Sequence, residues 1–232
     1  LERIMQVLAE KLTAYSGFAK VIASSKPYRR LDFSSGNADL SRLDLTETAV
    51  FAEYVSGVML ENNRYLGIGG YAEDRIIYRT RKHFQQNTQP RSIHLGTDIW
   101  TTAGEPVHAP LSGQVHSFAF NNHYGDYGPT IILAHELQGA RFYTLYGHLS
   151  LESLHGLYEG KEISTGECFA SIGFYPENGD WPPHLHFQVI ENMGEWKGDY
   201  PGVSSWQDRD YYLAACPDPN LILCIPENTY LR

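Results

Sequence analysis

The stretch HLHFQVI, residues 184–190, decides how the core of this chain is built. Side chains alternate across a strand, so Leu185, Phe187 and Val189 fall on one face and His184, His186 and Gln188 on the other. An apolar face backed by two histidines predicts a buried strand with one side given over to polar chemistry. Further short β-rich runs, separated by Gly, Pro and Asn, begin near residue 65. They are RIIYRT (75–80), GQVHSFAF (113–120), PTIILAHE (129–136), RFYTLYGH (141–148) and ECFASIGF (167–174). Gln138-Gly139 links two of them as a hairpin. With only one short helical patch among them, LESLHGLY (151–158), this spacing predicts antiparallel sheets and not βαβ units.

Upstream the pattern changes. Ile4, Val7, Leu8, Leu12, Tyr15, Phe18 and Ile22 recur at helical spacing and predict an amphipathic helix over 2–23, stopped by Lys26-Pro27. A polar loop, DFSSGNADLSRLD (32–44), precedes a second helix expected from Thr46 to Asn62. GIGG (67–70) lacks the full GxGxxG pattern and a following helix, so it reads as a turn and not a phosphate cradle. Near the end, SSWQDRDYYLAA (204–215) reads as a short capped helix broken by PDPN. The fold class expected is mainly β with N-terminal helices (α+β) around an antiparallel core.

The 232 residues carry 18 Lys and Arg against 27 Asp and Glu, a net charge of −9. No basic cluster stands out beyond RTRK near residue 80, so a nucleic-acid or other polyanionic partner is not expected. No apolar run is long enough to span a bilayer, which predicts no membrane partner. The opening LERIMQVLAEKLTAYSGF does not read as a signal peptide. Cys168, Cys216 and Cys224 have no CxxC spacing and read as free thiols. The expected compartment is the cytoplasm, or the periplasm or exterior if an upstream signal was removed.

Ten histidines are present. His83, His123 and His155 read as solvated loop residues, and His108, His116 and His135 as strand residues facing solvent or a backbone carbonyl. The informative set is HLGTD (His94, Asp98), YGH (His148) and HLH (His184, His186). Two histidines and a carboxylate suit zinc, whose catalytic sites keep a fourth position for an activated water. His184 and His186 lie about 7 Å apart along a strand, so both can face one centre, one as ligand and one reaching the water.

HLGTD, APLSGQV (109–115), LYGHLS (145–150) and PHLHF (183–187) follow the order found in lysostaphin-like zinc metallopeptidases. Over residues 90–192 the chain resembles that family's LytM-type domain, with its duplicated hybrid motif fold. The resemblance implies zinc bound by His94, Asp98 and His186. It implies catalytic roles for His148 and His184, which would orient or deprotonate the water and stabilise the tetrahedral intermediate. It also implies cleavage of peptide bonds in peptidoglycan-type or glycine-rich peptides. The division expected is an extension (1–88), a peptidase domain (89–192) and a C-terminal helix and tail (193–232). The chain departs from the family at Trp181-Pro182-Pro183, where small residues are usual, and at Gln188, often Glu.

GIGGYAEDRIIY and PENGDWPPHLHFQVI also resemble a peptidase-like module of larger cytosolic bacterial proteins. In those it lies between kinase-like and class III aminotransferase regions. That likeness implies an alternative, a metal-dependent amide hydrolase acting on a small amino-acid derivative. A phosphohistidine carrier on a similar fold would not need Asp98, whose charge repels a phosphoryl group. A non-catalytic binding module would not be expected to keep all five site residues. The oligomeric state, and whether residues 1–88 cover the groove or join subunits, stay open.

Overall fold

The computed structural model describes residues 2–79, 81–85 and 89–226. Helix α1 (Glu2–Ala14) is followed by strand β1 (Tyr28–Leu31) and by α2 (Thr48–Glu53), which runs on as a π-helical turn over Tyr54–Met59. Then come β2 (Leu66–Gly69), β3 (Arg91–His94), β4 (Thr97–Trp100), β5 (Pro106–His108), β6 (Gly113–Asn121), β7 (Gly128–Leu137) and β8 (Ala140–Gly147). The chain closes with β9 (Glu162–Ile163), β10 (Cys168–Ser171), β11 (His184–Ile190), β12 (Val203–Ser205), α3 (Arg209–Ala215) and α4 (Asn220–Leu223).

One eight-stranded sheet, ordered β1-β2-β4-β11-β8-β7-β6-β9, dominates, with two-stranded sheets β10-β5 and β12-β3 beside it. The β7–β8 hairpin forms where expected. Leu137 pairs with Ala140, and Gln138 and Gly139 both take positive φ (51° and 77°), the conformation that a tight two-residue hairpin loop requires. Ile131 and Leu133 enter the main core, which also takes Leu185, Phe187 and Val189 from β11. Ile132 and Leu145 point the other way, into a second cluster with Leu95, Met193 and Cys216. The alternation is thus buried on both sides, and β11 turns its His184–His186 face inward. No helix among the described residues is long and apolar enough to cross a membrane.

Four local expectations need correction. The first helix ends at Ala14, not near residue 23. Beyond it the backbone bonds to the β-core instead, Ala19 N–H to Pro110 O (2.9 Å) and His108 N–H to Val21 O (2.9 Å), which buries Val21 and Ile22 without a helix. The second helix is shorter at both ends and its last turn is π-helical. RIIYRT is not a strand: Ile76–Tyr78 forms a 3₁₀ turn after bridges at Asp74 and Arg75, while Thr80 lies outside the described residues. A short apolar run does not by itself distinguish these outcomes. Lastly, GIGG is not simply a turn. Leu66–Gly69 is a fully buried strand, parallel to β1 and antiparallel to β4, and the helical crossover through α2 supplies the long connection a parallel pair needs.

Candidate metal centre

β4 and β11 run antiparallel with Asp98 opposite His186 and Trp100 opposite His184. His94 ends β3, and the two-residue link Leu95-Gly96 returns the chain into β4. A Cβ at Gly96 would lie 2.6 Å from His186 Cε1 and 2.8 Å from Phe187 O, so the glycine of HLGTD makes room for the His186 ring. His148 follows β8 with φ of 61°, a left-handed turn that directs its ring to the same place. All five residues singled out in the sequence therefore meet, and none is more than 5% exposed.

His94 Nε2, His186 Nδ1 and Asp98 Oδ1 form a nearly equilateral triangle, with sides of 3.0, 3.1 and 3.2 Å. Their partners assign the protons. His94 Nδ1 lies 2.9 Å from Gly70 O, so it carries the hydrogen and Nε2 is a bare lone pair. His186 Nε2 lies 2.9 Å from Gln188 Oε1. The Gln188 amide is itself fixed by donating to Pro201 O (3.1 Å) and Cys216 Sγ (3.2 Å). Hence His186 Nε2 donates and Nδ1 faces the triangle unprotonated. Three acceptors point at one another with no proton among them, which a cation resolves. Zinc bonds of 2.0–2.2 Å at tetrahedral angles place ligand atoms about 3.3–3.5 Å apart, close to the observed edges.

The charges agree. Burial would raise the Asp98 carboxyl, but its charged surroundings, His94, Arg75 and His184, hold it well below the usual range. Burial, then Arg75, drops His94 to about 3, and burial drops His184 to about 4 against the pull of Asp98. His148 is held well below its ordinary value by burial and by His184 and His186. His94, His148 and His184 are therefore neutral near pH 7 and available as ligands or bases.

His148 and His184 stand apart from the triangle. His148 Nδ1 donates to Asn178 O (2.8 Å) and His184 Nδ1 to Pro182 O (2.7 Å), leaving both Nε2 atoms as lone pairs. Their rings lie 4.2 Å apart, and Trp100 stacks on His184 at 3.9 Å and 12°.

Comparison with known sequences gives this arrangement its context. Residues 92–197, which contain all five side chains, match the model of Peptidase family M23. These residues are similar to an M23 peptidase domain. The chain is 30% identical over 129 residues to the L-Ala–D-Glu endopeptidase of Bacillus subtilis (strain 168), covering 52% of this chain and 37% of that protein. It thus spans little more than a third of that relative's length. Among solved structures, the lysostaphin catalytic domain from Staphylococcus simulans shares 25% identity, with 58% of this chain and 81% of that chain covered and a TM-score of 0.40. A zinc-containing peptidase from Vibrio cholerae shares 26% identity over 42% of this chain and 27% of that one, with a TM-score of 0.31.

The site is completed from outside the residues that match the family model. Arg75, fully buried, donates from Nη1 to Asp98 Oδ2, the carboxylate oxygen turned away from the triangle. Tyr78, Phe84 and Val203 join Tyr127, Trp181 and Trp196 in walling a cavity that reaches Asp98, His148, His184 and His186. Sequence reasoning missed Arg75, Gly70 and Tyr127, whose hydroxyl lies 3.5 Å from His186 Nε2 and donates to Tyr200 O (3.2 Å). It named Gln188 only as a departure from a pattern. His83, read as a solvated loop residue, is half-buried at the cavity wall.

Proposed function

We propose that this protein is a zinc-dependent peptide hydrolase, an endopeptidase in which His94, Asp98 and His186 hold the metal and His148 and His184 move the proton. The single observation that carries this reading is the triangle of three unprotonated donor atoms beside two further imidazoles with free Nε2 lone pairs. The bound ion would polarise the scissile carbonyl and acidify the attacking water.

The protein's own groups account for the rest. A neutral His184 takes the water proton at Nε2 as the oxygen adds to the carbonyl carbon. Asp98 Oδ2, 3.9 Å away, favours the imidazolium so formed. That proton then passes to the leaving nitrogen as the C–N bond breaks. His148 is influenced more by two other imidazoles than by Asp98, so it suits a role as acceptor that orients the water. Asn178 O and Pro182 O fix the two ring orientations throughout.

The name of the Bacillus relative makes an L-Ala–D-Glu bond the first to test, beside glycyl and D-alanyl peptides. Hydrolysis of at least one of these, abolished by chelation and restored by zinc, is expected. A metal-loaded protein inactive on the whole panel would count against the reading. A second reading, action on a small soluble amide, draws support from the burial of the site and from the cavity walls contributed by Tyr78, Phe84 and Val203. Comparing rates on short soluble peptides and on intact peptidoglycan separates the two. The three unpaired cysteines suit the reducing compartment that the second reading requires.

A further inference from the structure

We propose that Arg75 is a positioning residue of the metal centre, and that the segment Gly69–Arg75 is its outer support; this rests on the metal reading above. Asp98 has two oxygens and they are used differently. Oδ1 stands 3.1 Å from His186 Nδ1 and 3.2 Å from His94 Nε2, and Oδ2 is taken by the Arg75 guanidinium. A carboxylate held in this way offers one oxygen to an ion and cannot rotate to offer both.

The guanidinium is itself fixed on several sides. Nε donates to Glu73 Oε2 (2.8 Å), Nη1 also to Tyr78 Oη (3.0 Å), and Nη2 reaches toward Gly70 O at 3.4 Å. The same Gly70 carbonyl accepts from His94 Nδ1. One short segment therefore orients two of the three proposed ligands, His94 through a backbone oxygen and Asp98 through Arg75. β2 brings it there, pairing Gly69 with Asp98. A Cβ at Gly69 would sit 2.6 Å from Arg75 Nη2 and 3.0 Å from Trp100 Nε1, so the glycine leaves the path of the arginine open. The GIGG run thus serves the metal site from outside the matched M23 residues.

Arg75 has a charge role as well. It offsets the charges of Asp98 and Glu73 at a buried position and holds the ligand carboxylate in its ionised form. Partners of this kind commonly govern metal affinity by about 10- to 100-fold.

The test is zinc affinity of the full chain, measured by competition with a chromophoric chelator, alongside the visible spectrum of the cobalt(II)-loaded protein. Arg75→Met is expected to weaken zinc binding by about 10- to 100-fold. Its cobalt absorption should weaken as the freed carboxylate binds through both oxygens. Arg75→Lys keeps the charge but cannot serve Asp98, Glu73 and Tyr78 together, and is expected to fall several-fold. If Arg75→Met does not fold, Arg75→Lys decides. Affinity within twofold of the parent, with an unchanged cobalt spectrum, overturns the inference and leaves the metal reading standing. A parent protein that takes up no zinc overturns both.

Discussion

Gln188 accepts the His186 Nε2 proton at 2.9 Å from two positions along the same strand, and so sets which nitrogen of that ring faces the metal site. The amide side chain can do this because its own NH₂ is committed to Pro201 O and Cys216 Sγ. A glutamine in place of a carboxylate still fixes the tautomer, without burying another charge.

Replacing that anchor has a definite consequence. Gln188→Leu keeps the volume but frees His186 to carry its proton on Nδ1, opposing metal binding. Zinc affinity is expected to fall by about 10- to 100-fold, measured by chelator competition on folded protein. Parent affinity would show that the ring is held by something else.

The two imidazoles outside the triangle separate chemistry from binding. His184→Ala and His148→Ala should each retain zinc at parent stoichiometry while kcat/KM drops by about 10²- to 10⁴-fold. The larger loss is expected for His184, the ring beside Asp98 Oδ2. Loss of zinc in either variant would assign that ring to the metal.

Gly96 bears on both stability and metal. In Gly96→Ala the new methyl would press on His186 Cε1, His186 Nε2 and Phe187 O at 2.6 to 2.8 Å. Moving a β11 backbone carbonyl is costly, so a loss of about 1–3 kcal/mol is expected, with reduced zinc content. Chemical denaturation and metal analysis of one preparation read both.

His135 lies away from the site, buried between Ser112 O (3.0 Å) and Thr144 Oγ1 (2.7 Å), and burial lowers it to about 4. Unfolded, it titrates near 6.5. Between those values the unfolded chain binds a proton that the folded one refuses, so stability is full above about pH 6.5 and declines as pH falls toward 4. The slope from such a group approaches about 1.4 kcal/mol per pH unit. His94 and His184 act in the same direction. His135→Gln should flatten the decline between pH 7 and 5 in urea unfolding of zinc-free protein. An unchanged slope would contradict the assignment.

The sequence was most legible where structure is local. The alternation of HLHFQVI and the Gln138-Gly139 turn specify strand faces and a hairpin through neighbouring residues alone. The five clustered residues were legible because three short motifs, HLGTD, LYGHLS and PHLHF, carry them in order. Arg75 was not, because a charge at the start of the strand-like run RIIYRT reads as solvated until Asp98, Glu73 and Tyr78 are seen around it. β2 was hidden by glycines, which carry no alternation, and its burial depends in part on Leu31 and Trp100, distant in sequence. The first helix was read too long because Phe18 and Ile22 satisfy helical spacing while packing on the core from outside any helix.

The central claim, a single cation shared by three side chains, is tested most directly by anomalous diffraction at the zinc absorption edge from crystals grown with zinc. The expected result is one strong peak 2.0–2.2 Å from His94 Nε2, His186 Nδ1 and Asp98 Oδ1, with His148 and His184 unbonded to it. A peak bound to His148 or His184 in place of any of those three atoms would contradict the account, as would no peak in the cavity.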